Sequence, residues 1–210
     1  MPRKKRIWYP GAQFHIMCRG NHRAEIYRDE EDRQVYLTLL EEARKTHPFV
    51  LISYCLMSNH VHLQIETLDT EPWMFMKMLN MKYAIYFNKK YNFVGHLFQG
   101  RYRSELIESD SQLLQTSKYV HLNPVRANIV EKPDHYEWSS YREYLKGLFP
   151  QVYPKSCLVT LNTETILRYF KNSSAELYRS YVEYDLSFYA SIKSSGDVVG
   201  AQEISAGEDH

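Results

Sequence analysis

No run of apolar residues in this 210-residue chain approaches the roughly 20 that a membrane-crossing helix needs, so a membrane partner is not expected. Cysteine is scarce: Cys18, Cys55 and Cys157 are odd in number and widely spaced, and no CxxC pair hints at a zinc or redox site. No Walker-type phosphate loop occurs, so no motif of that kind points to ATP. An excess of one charge is missing as well. The 26 Lys plus Arg stand against 25 Asp plus Glu, a net charge of +1 that excludes a histone-like polycation. Met1-Pro-Arg-Lys-Lys-Arg6 leads into Ile-Trp-Tyr-Pro instead of an apolar signal core, so a soluble, cytoplasmic protein is expected.

What is present is enough to build a core: 44% hydrophobic and 14% aromatic residues. The charge is unevenly placed. No Lys or Arg follows Lys193, and setting aside Asp197, Glu203, Glu208 and Asp209 leaves residues 1–193 with 26 basic and 21 acidic side chains. One principal domain is expected over 1–150, a helical extension over 151–193 and a disordered acidic tail over 194–210.

Gln13 to Arg19 alternate in polarity as a half-buried strand does, with Phe14, Ile16 and Cys18 on one side. Asp29 can cap a helix to about Lys45, and His47-Pro48 stops it. Phe49–Leu56 and His60–Glu66 read as strands joined by the turn Met57-Ser-Asn59. Pro72 opens a helix to about Lys90 with Phe75, Met78, Leu79, Ile85 and Tyr86 as its apolar face, Arg101–Glu108 reads as a strand, and Asp110 can cap a third helix. The order β-α-β-β-α-β-α predicts an α+β, ferredoxin-like antiparallel sheet: two helices cover one face and the other face stays available. After about 150 the pattern weakens, with helices expected at 163–171 and 175–184.

Period-two geometry places His60, His62, Gln64 and Glu66 on one side of the second hairpin strand, and Val61, Leu63 and Ile65 on the other. Two imidazoles side by side are a common start for a divalent metal site. Nine histidines in a chain of this length would give about 0.4 His-x-His pairs by chance, so context must decide between a ligand pair and a structural one. The third helix offers further groups. Tyr119 and Asn123 share a face with Gln112 and Gln115, opposite Leu113, Ser117 and Val120. Pro124 disfavours helical geometry at Asn123, which puts the amide near the helix end, free to turn its oxygen toward a metal.

Taken together, these residues resemble the single-tyrosine HUH transposases, most of all the REP-associated tyrosine transposases and their insertion-sequence relatives. Four segments carry the resemblance, in order and spacing: the first strand with Arg19-Gly-Asn21, the hairpin Met57-Ser-Asn-His60-Val-His62-Leu, the strand Phe98-Gln-Gly-Arg101-Tyr-Arg103, and Tyr119-Val-His-Leu-Asn-Pro-Val-Arg126. They span about residues 8 to 145, up to the Trp138-Ser-Ser-Tyr141 that commonly closes such a domain. Ser58 departs from the proline many relatives carry in that turn. The resemblance implies that His60 and His62 bind metal, that Tyr119 is the nucleophile and that Asn123 is an amide ligand. It further implies an imperfect hairpin or single-stranded DNA as substrate, and a monomer or a homodimer exchanging the tyrosine helix.

On this reading Tyr119 attacks a phosphorus, forms a 5′-phosphotyrosine bond and releases a 3′-hydroxyl that can later rejoin a strand. Magnesium or manganese is the expected cofactor, because two nitrogens and one oxygen leave open positions that a closed structural zinc cage lacks. The sequence identifies no base for the tyrosine proton. Arg19, Arg101, Arg103 and Arg126 are candidate DNA contacts because each adjoins a motif, and Lys4, Lys5 and Arg6 form a basic arm. Two other readings compete: a catalytically idle nucleic-acid-binding module on the same sheet, and a metal-dependent hydrolase that would not need Tyr119.

Overall fold

The structure is a computed structural model that describes residues 7–146, 148 and 158–184. Its sheet has four antiparallel strands in the order β2-β3-β1-β4: β1 (Gln13–Arg19), β2 (Phe49–Leu56), β3 (His60–Thr67) and β4 (Arg103–Ile107). With α1 (Glu30–Thr46) and α2 (Pro72–Tyr91) between them and α3 (Asp110–Arg126) after them, the connectivity is the expected ferredoxin-like one. No helix among the described residues is long and apolar enough to cross a membrane.

One sheet face is apolar and covered by α1 and α2. Phe14, Ile16 and Cys18 of β1 lie opposite Ile65, Leu63 and Val61 of β3, and all are buried with Tyr36, Leu37, Leu40 and Ala43 of α1 and Phe75, Leu79, Tyr83 and Phe87 of α2. α1 starts on a capping box in which Asp29 Oδ1 accepts from Asp32 N–H and Asp32 Oδ2 accepts from Asp29 N–H. Of the face expected for α2, Phe75, Met78, Leu79 and Tyr86 pack on the core, but Ile85 is 62% exposed, and Tyr83 and Phe87 point inward as well. Apolar residues occur all round this helix, so periodicity alone could not choose its buried side.

The second face is not left open. α3 lies across it, with Leu113, Ser117, Val120, His121 and Leu122 buried, and the Leu113 carbonyl accepts from Gln64 Nε2 at 2.9 Å. Two details of α3 differ from the sequence reading. Its N-cap is Ser109, whose Oγ accepts from Gln112 N–H, so Asp110 is already helical. The helix also runs through Pro124 to Arg126 instead of ending at Asn123; the Asn123 and Pro124 carbonyls accept from Ala127 N–H and Ile129 N–H, so Pro124 forgoes its own donor without stopping the turn.

Packing continues past residue 150. Tyr141 and Tyr144 of α4 (Tyr141–Tyr144), Ile166 of α5 (Glu164–Leu167), and Tyr178 and Val182 of α6 (Ala175–Glu183) join Ile52, Ile107, Leu113 and Leu122 in a second core around α3. The expected helix over 163–171 is only the short α5. Ile52 reaches this core because a register shift between Leu51 and Ser53 breaks the alternation of β2. The outer edge of β2 is occupied: Leu56 N–H donates to Trp138 O, Ser140 N–H to Tyr54 O, and Asn162 N–H to Leu51 O. The acidic tail expected at 194–210 and the basic arm Lys4, Lys5 and Arg6 lie outside the described residues.

Candidate active site

β3 is an inner strand, so its polar-side residues meet neighbours from both flanks and from α3. His62 and Gln64 are fully buried there, and His60, nearer the strand end, is half-buried. The His60 and His62 rings meet edge to face with centroids 4.8 Å apart. Asn123 reaches them from α3: its Nδ2 lies 3.2 Å from His62 Nε2, and its side chain also hydrogen-bonds His60. Tyr119, one turn earlier, is 38% exposed and stands edge-on to His62 with centroids 5.4 Å apart. The tyrosine and both histidines therefore meet within one chain, next to an opening to solvent.

Burial sets the charge of this cluster. Loss of hydration pushes the His60 imidazole down to about 4, and the Arg19 cation, paired across the strands with His60, pushes the same way. His62 is held well below the ordinary histidine range by burial first, then by His15, His60 and Arg19. Both rings are neutral at pH 7, the state in which imidazole has a lone pair to give.

The hydrogen bonds say which nitrogen holds that lone pair on His60. Asn59 Nδ2 donates to Arg23 O at 3.2 Å, which turns Asn59 Oδ1 toward His60 Nδ1 at 2.6 Å. An amide oxygen only accepts, so His60 carries its proton on Nδ1 and presents Nε2 bare. Among the described residues no group of three or more His, Cys, Asp or Glu side chains is placed to hold a metal. The set here is two neutral imidazoles and an amide, and that donor chemistry fits a divalent ion. The buried cysteines do not contribute: burial raises the Cys18 thiol to about 12 and raises Cys55 further.

The motif Arg19-Gly-Asn21 gains a physical cause. Gly20 N–H donates to Asn59 O, Asn21 N–H to Leu97 O, and Gln99 N–H to Arg19 O, so this corner ties β1 to the hairpin turn and to the segment before β4. A Cβ on Gly20 would sit 2.1 Å from the Ala24 carbonyl oxygen. The corner places Arg19 beside His60. Arg126, one turn beyond Asn123, puts its guanidinium 5.2 Å from the centre of the Tyr119 ring. Arg103 is exposed, opposite Met17 on the histidine side of the sheet, whereas the exposed Arg101 lies before β4, outside the paired register.

Sequence reasoning missed two groups. His15 Nε2 lies 2.9 Å from His62 Nδ1, and Glu105 Oε2 lies 3.8 Å from His15 Nδ1. The signal was present, since His15 is on the polar side of the β1 alternation, but only the strand register brings it to His62.

The profile of the family described as "Transposase IS200 like" matches residues 9–123. A Haemophilus influenzae protein described as a REP-associated tyrosine transposase is 25% identical over 121 residues, 52% of this chain and 66% of that protein, so the chain spans just under two thirds of its relative. Among solved structures, a REP-associated tyrosine transposase bound to a REP hairpin superposes with a TM-score of 0.59 at 14% identity, over 78% of this chain and 96% of that one, a likeness of fold. With that profile matched over more than half of its length, the chain belongs to the IS200-like transposase family.

Proposed function

We propose that this transposase-like protein cleaves and rejoins single-stranded DNA beside a hairpin, with Tyr119 as nucleophile. The observation that carries the reading is the meeting of a solvent-reaching tyrosine with two neutral histidines and an amide. In the cleavage step the Tyr119 oxygen bonds to phosphorus as its proton leaves, the bond from phosphorus to the 3′-oxygen breaks, and that oxygen departs as a hydroxyl. Resealing reverses the step with a 3′-hydroxyl as nucleophile, so no external energy source is consumed.

His60 Nε2, His62 Nε2 and the Asn123 amide oxygen are the groups that would hold magnesium or manganese. Such an ion, when bound, withdraws charge from the phosphate oxygens. Arg126 and Arg19 flank the cluster and suit the phosphates on either side, and Arg103 suits a strand running over the β4 edge. The solved relative bound to a REP hairpin supports hairpin DNA as substrate class. A complete set of donors and nucleophile in one chain suits action as a monomer, and the cytoplasm is the setting proposed for it.

The test is incubation of a labelled hairpin oligonucleotide carrying a single-stranded flank with manganese or magnesium, resolved on a denaturing gel. A covalent adduct that is lost in Tyr119→Phe is the expected result. Cleavage that persists in Tyr119→Phe would overturn the tyrosine mechanism. Metal-independent binding with no cleavage would favour a binding module instead.

A further inference from the structure

We infer that His15, backed by Glu105, is a positioning residue that holds His62 in the tautomer with Nδ1 protonated and Nε2 bare. The inference rests on the proposed metal role of His62.

The geometry of the pair comes first. The His15 and His62 rings are 17° from coplanar, with centroids 5.1 Å apart and nitrogens 2.9 Å apart. The nitrogen separation plus the two centre-to-nitrogen radii accounts for nearly the whole centroid distance. The rings therefore meet end to end in almost one plane, and the contact is a near-linear hydrogen bond, not face-to-face stacking. One proton lies between the two facing nitrogens of such a bond, so one ring must donate and the other accept.

The surroundings choose the direction. On its far side His62 Nε2 faces the Asn123 amide, which offers an N–H at 3.2 Å. A protonated Nε2 would oppose that donor. With Nε2 bare, the His62 proton sits on Nδ1 and is donated to His15 Nε2. His15 must then carry its own proton on Nδ1, which faces the Glu105 carboxylate at 3.8 Å, an ion-pair distance longer than a direct hydrogen bond. His15 holds that carboxyl below the ordinary glutamate range, which keeps Glu105 an acceptor. Every proton on the line from Glu105 through His15 to His62 thus points away from the Nε2 lone pair. An acceptor behind a metal-ligating histidine fixes ring orientation and raises ligand basicity, and its loss typically lowers metal affinity about 10–100-fold.

Burial supports an orienting role. The His15 side chain is 13% exposed, and its ring lies edge-on to Tyr119 with centroids 5.8 Å apart, so it is packed between the histidine it orients and the tyrosine. The Glu105 side chain is 63% exposed and so open to replacement without disturbing the core.

Long-range nitrogen–proton NMR correlation on metal-free, labelled full-length protein reads the tautomers directly. His62 is expected with Nδ1 protonated in the wild type and with a mixture of tautomers in His15→Leu. His15→Gln, whose amide oxygen can still accept, is expected to restore the wild-type pattern. Manganese binding followed by calorimetry should weaken about 10–100-fold in His15→Leu and stay within a few-fold in His15→Gln. If His15→Leu does not fold, Glu105→Ala replaces it and should show His15 itself as a tautomer mixture. A wild-type His62 protonated on Nε2, or unchanged tautomers and manganese affinity in His15→Leu, would overturn the inference. Failure of the wild type to bind manganese or form the Tyr119 adduct would instead overturn the proposed function, because the metal-free tautomers stand apart from it.

Discussion

Replacing Tyr178 by phenylalanine removes one oxygen atom from the interior, and the structure allows its effect to be worked out. The Tyr178 hydroxyl lies 2.6 Å from both Ser117 Oγ and His121 Nδ1. His121 Nε2 in turn lies 2.8 Å from Ser140 Oγ, which accepts from Tyr54 N–H and donates to Tyr54 O. Tyr178, Ser117, His121 and Ser140 are all buried, so water does not replace a lost partner. Phenylalanine fills the same space and leaves no cavity beyond the oxygen. It strips a partner from Ser117 and from His121 Nδ1, at about 1–3 kcal/mol for each buried polar atom left short of a partner, hence about 2–6 kcal/mol in total. That is a large share of the roughly 5–15 kcal/mol that holds a typical domain together. Urea unfolding followed by circular dichroism measures it, with an unchanged slope confirming that the midpoint shift is stability. Tyr169→Phe is the control: its hydroxyl donates to Asp110 Oδ1 on the exposed surface, and its loss should cost under about 0.5 kcal/mol. A Tyr178→Phe loss no larger than the Tyr169→Phe loss would mean that α6 is not docked on the tyrosine helix as described.

Other perturbations have equally definite outcomes. Gly20→Ala drives a methyl group into the Ala24 carbonyl, so it should lower stability by about 1–3 kcal/mol in the same urea assay and weaken DNA binding through displaced Arg19. Acid should destabilise the protein through His121, which burial holds down at about 3. Its unfolded form titrates near ~6.5, so the unfolded chain binds the extra proton; the stabilisation is complete above that pH and falls by up to about 1.4 kcal/mol per unit as pH drops toward 3. Urea midpoints that stay flat from pH 6.5 to 4.5 would contradict this. Arg19→Gln and Arg126→Gln should each lower affinity for a single-stranded oligonucleotide and reduce the salt dependence by about one charge, read by fluorescence anisotropy across a salt series. An unchanged salt slope would remove that arginine from the binding surface.

Much of the fold was legible because its signals are local. The alternation in β1 and β3, the stop at His47-Pro48 and Pro72 at the start of α2 each depend on a few neighbouring residues. What the sequence concealed depends on partners far along the chain. Ile85 faces solvent because the sheet, not the period of α2, selects the buried side. Pro124 stays helical because the carbonyls around it find donors in the next turn. His15 and Glu105 become neighbours of His62 only once β1 is set in register between β3 and β4. Tyr178 lies 57 residues from His121, and an α6 of only 9 residues gives little pattern to show which face will be buried.

The donors from Trp138 to Ser140 and at Asn162 that occupy the outer edge of β2 also govern how the molecule behaves in a crowd. A bare edge strand of mostly buried, apolar residues is a template for another chain, and β2 would be such a strand. Among the described residues the sheet's other edge is β4, with Arg103 and Glu105 among its side chains, and charge there discourages pairing. The residues after α3 thus act as a guard against intermolecular sheet growth. A version shortened before Trp138 would keep Tyr119, both histidines and Asn123, yet would be prone to precipitate before it could act on any strand.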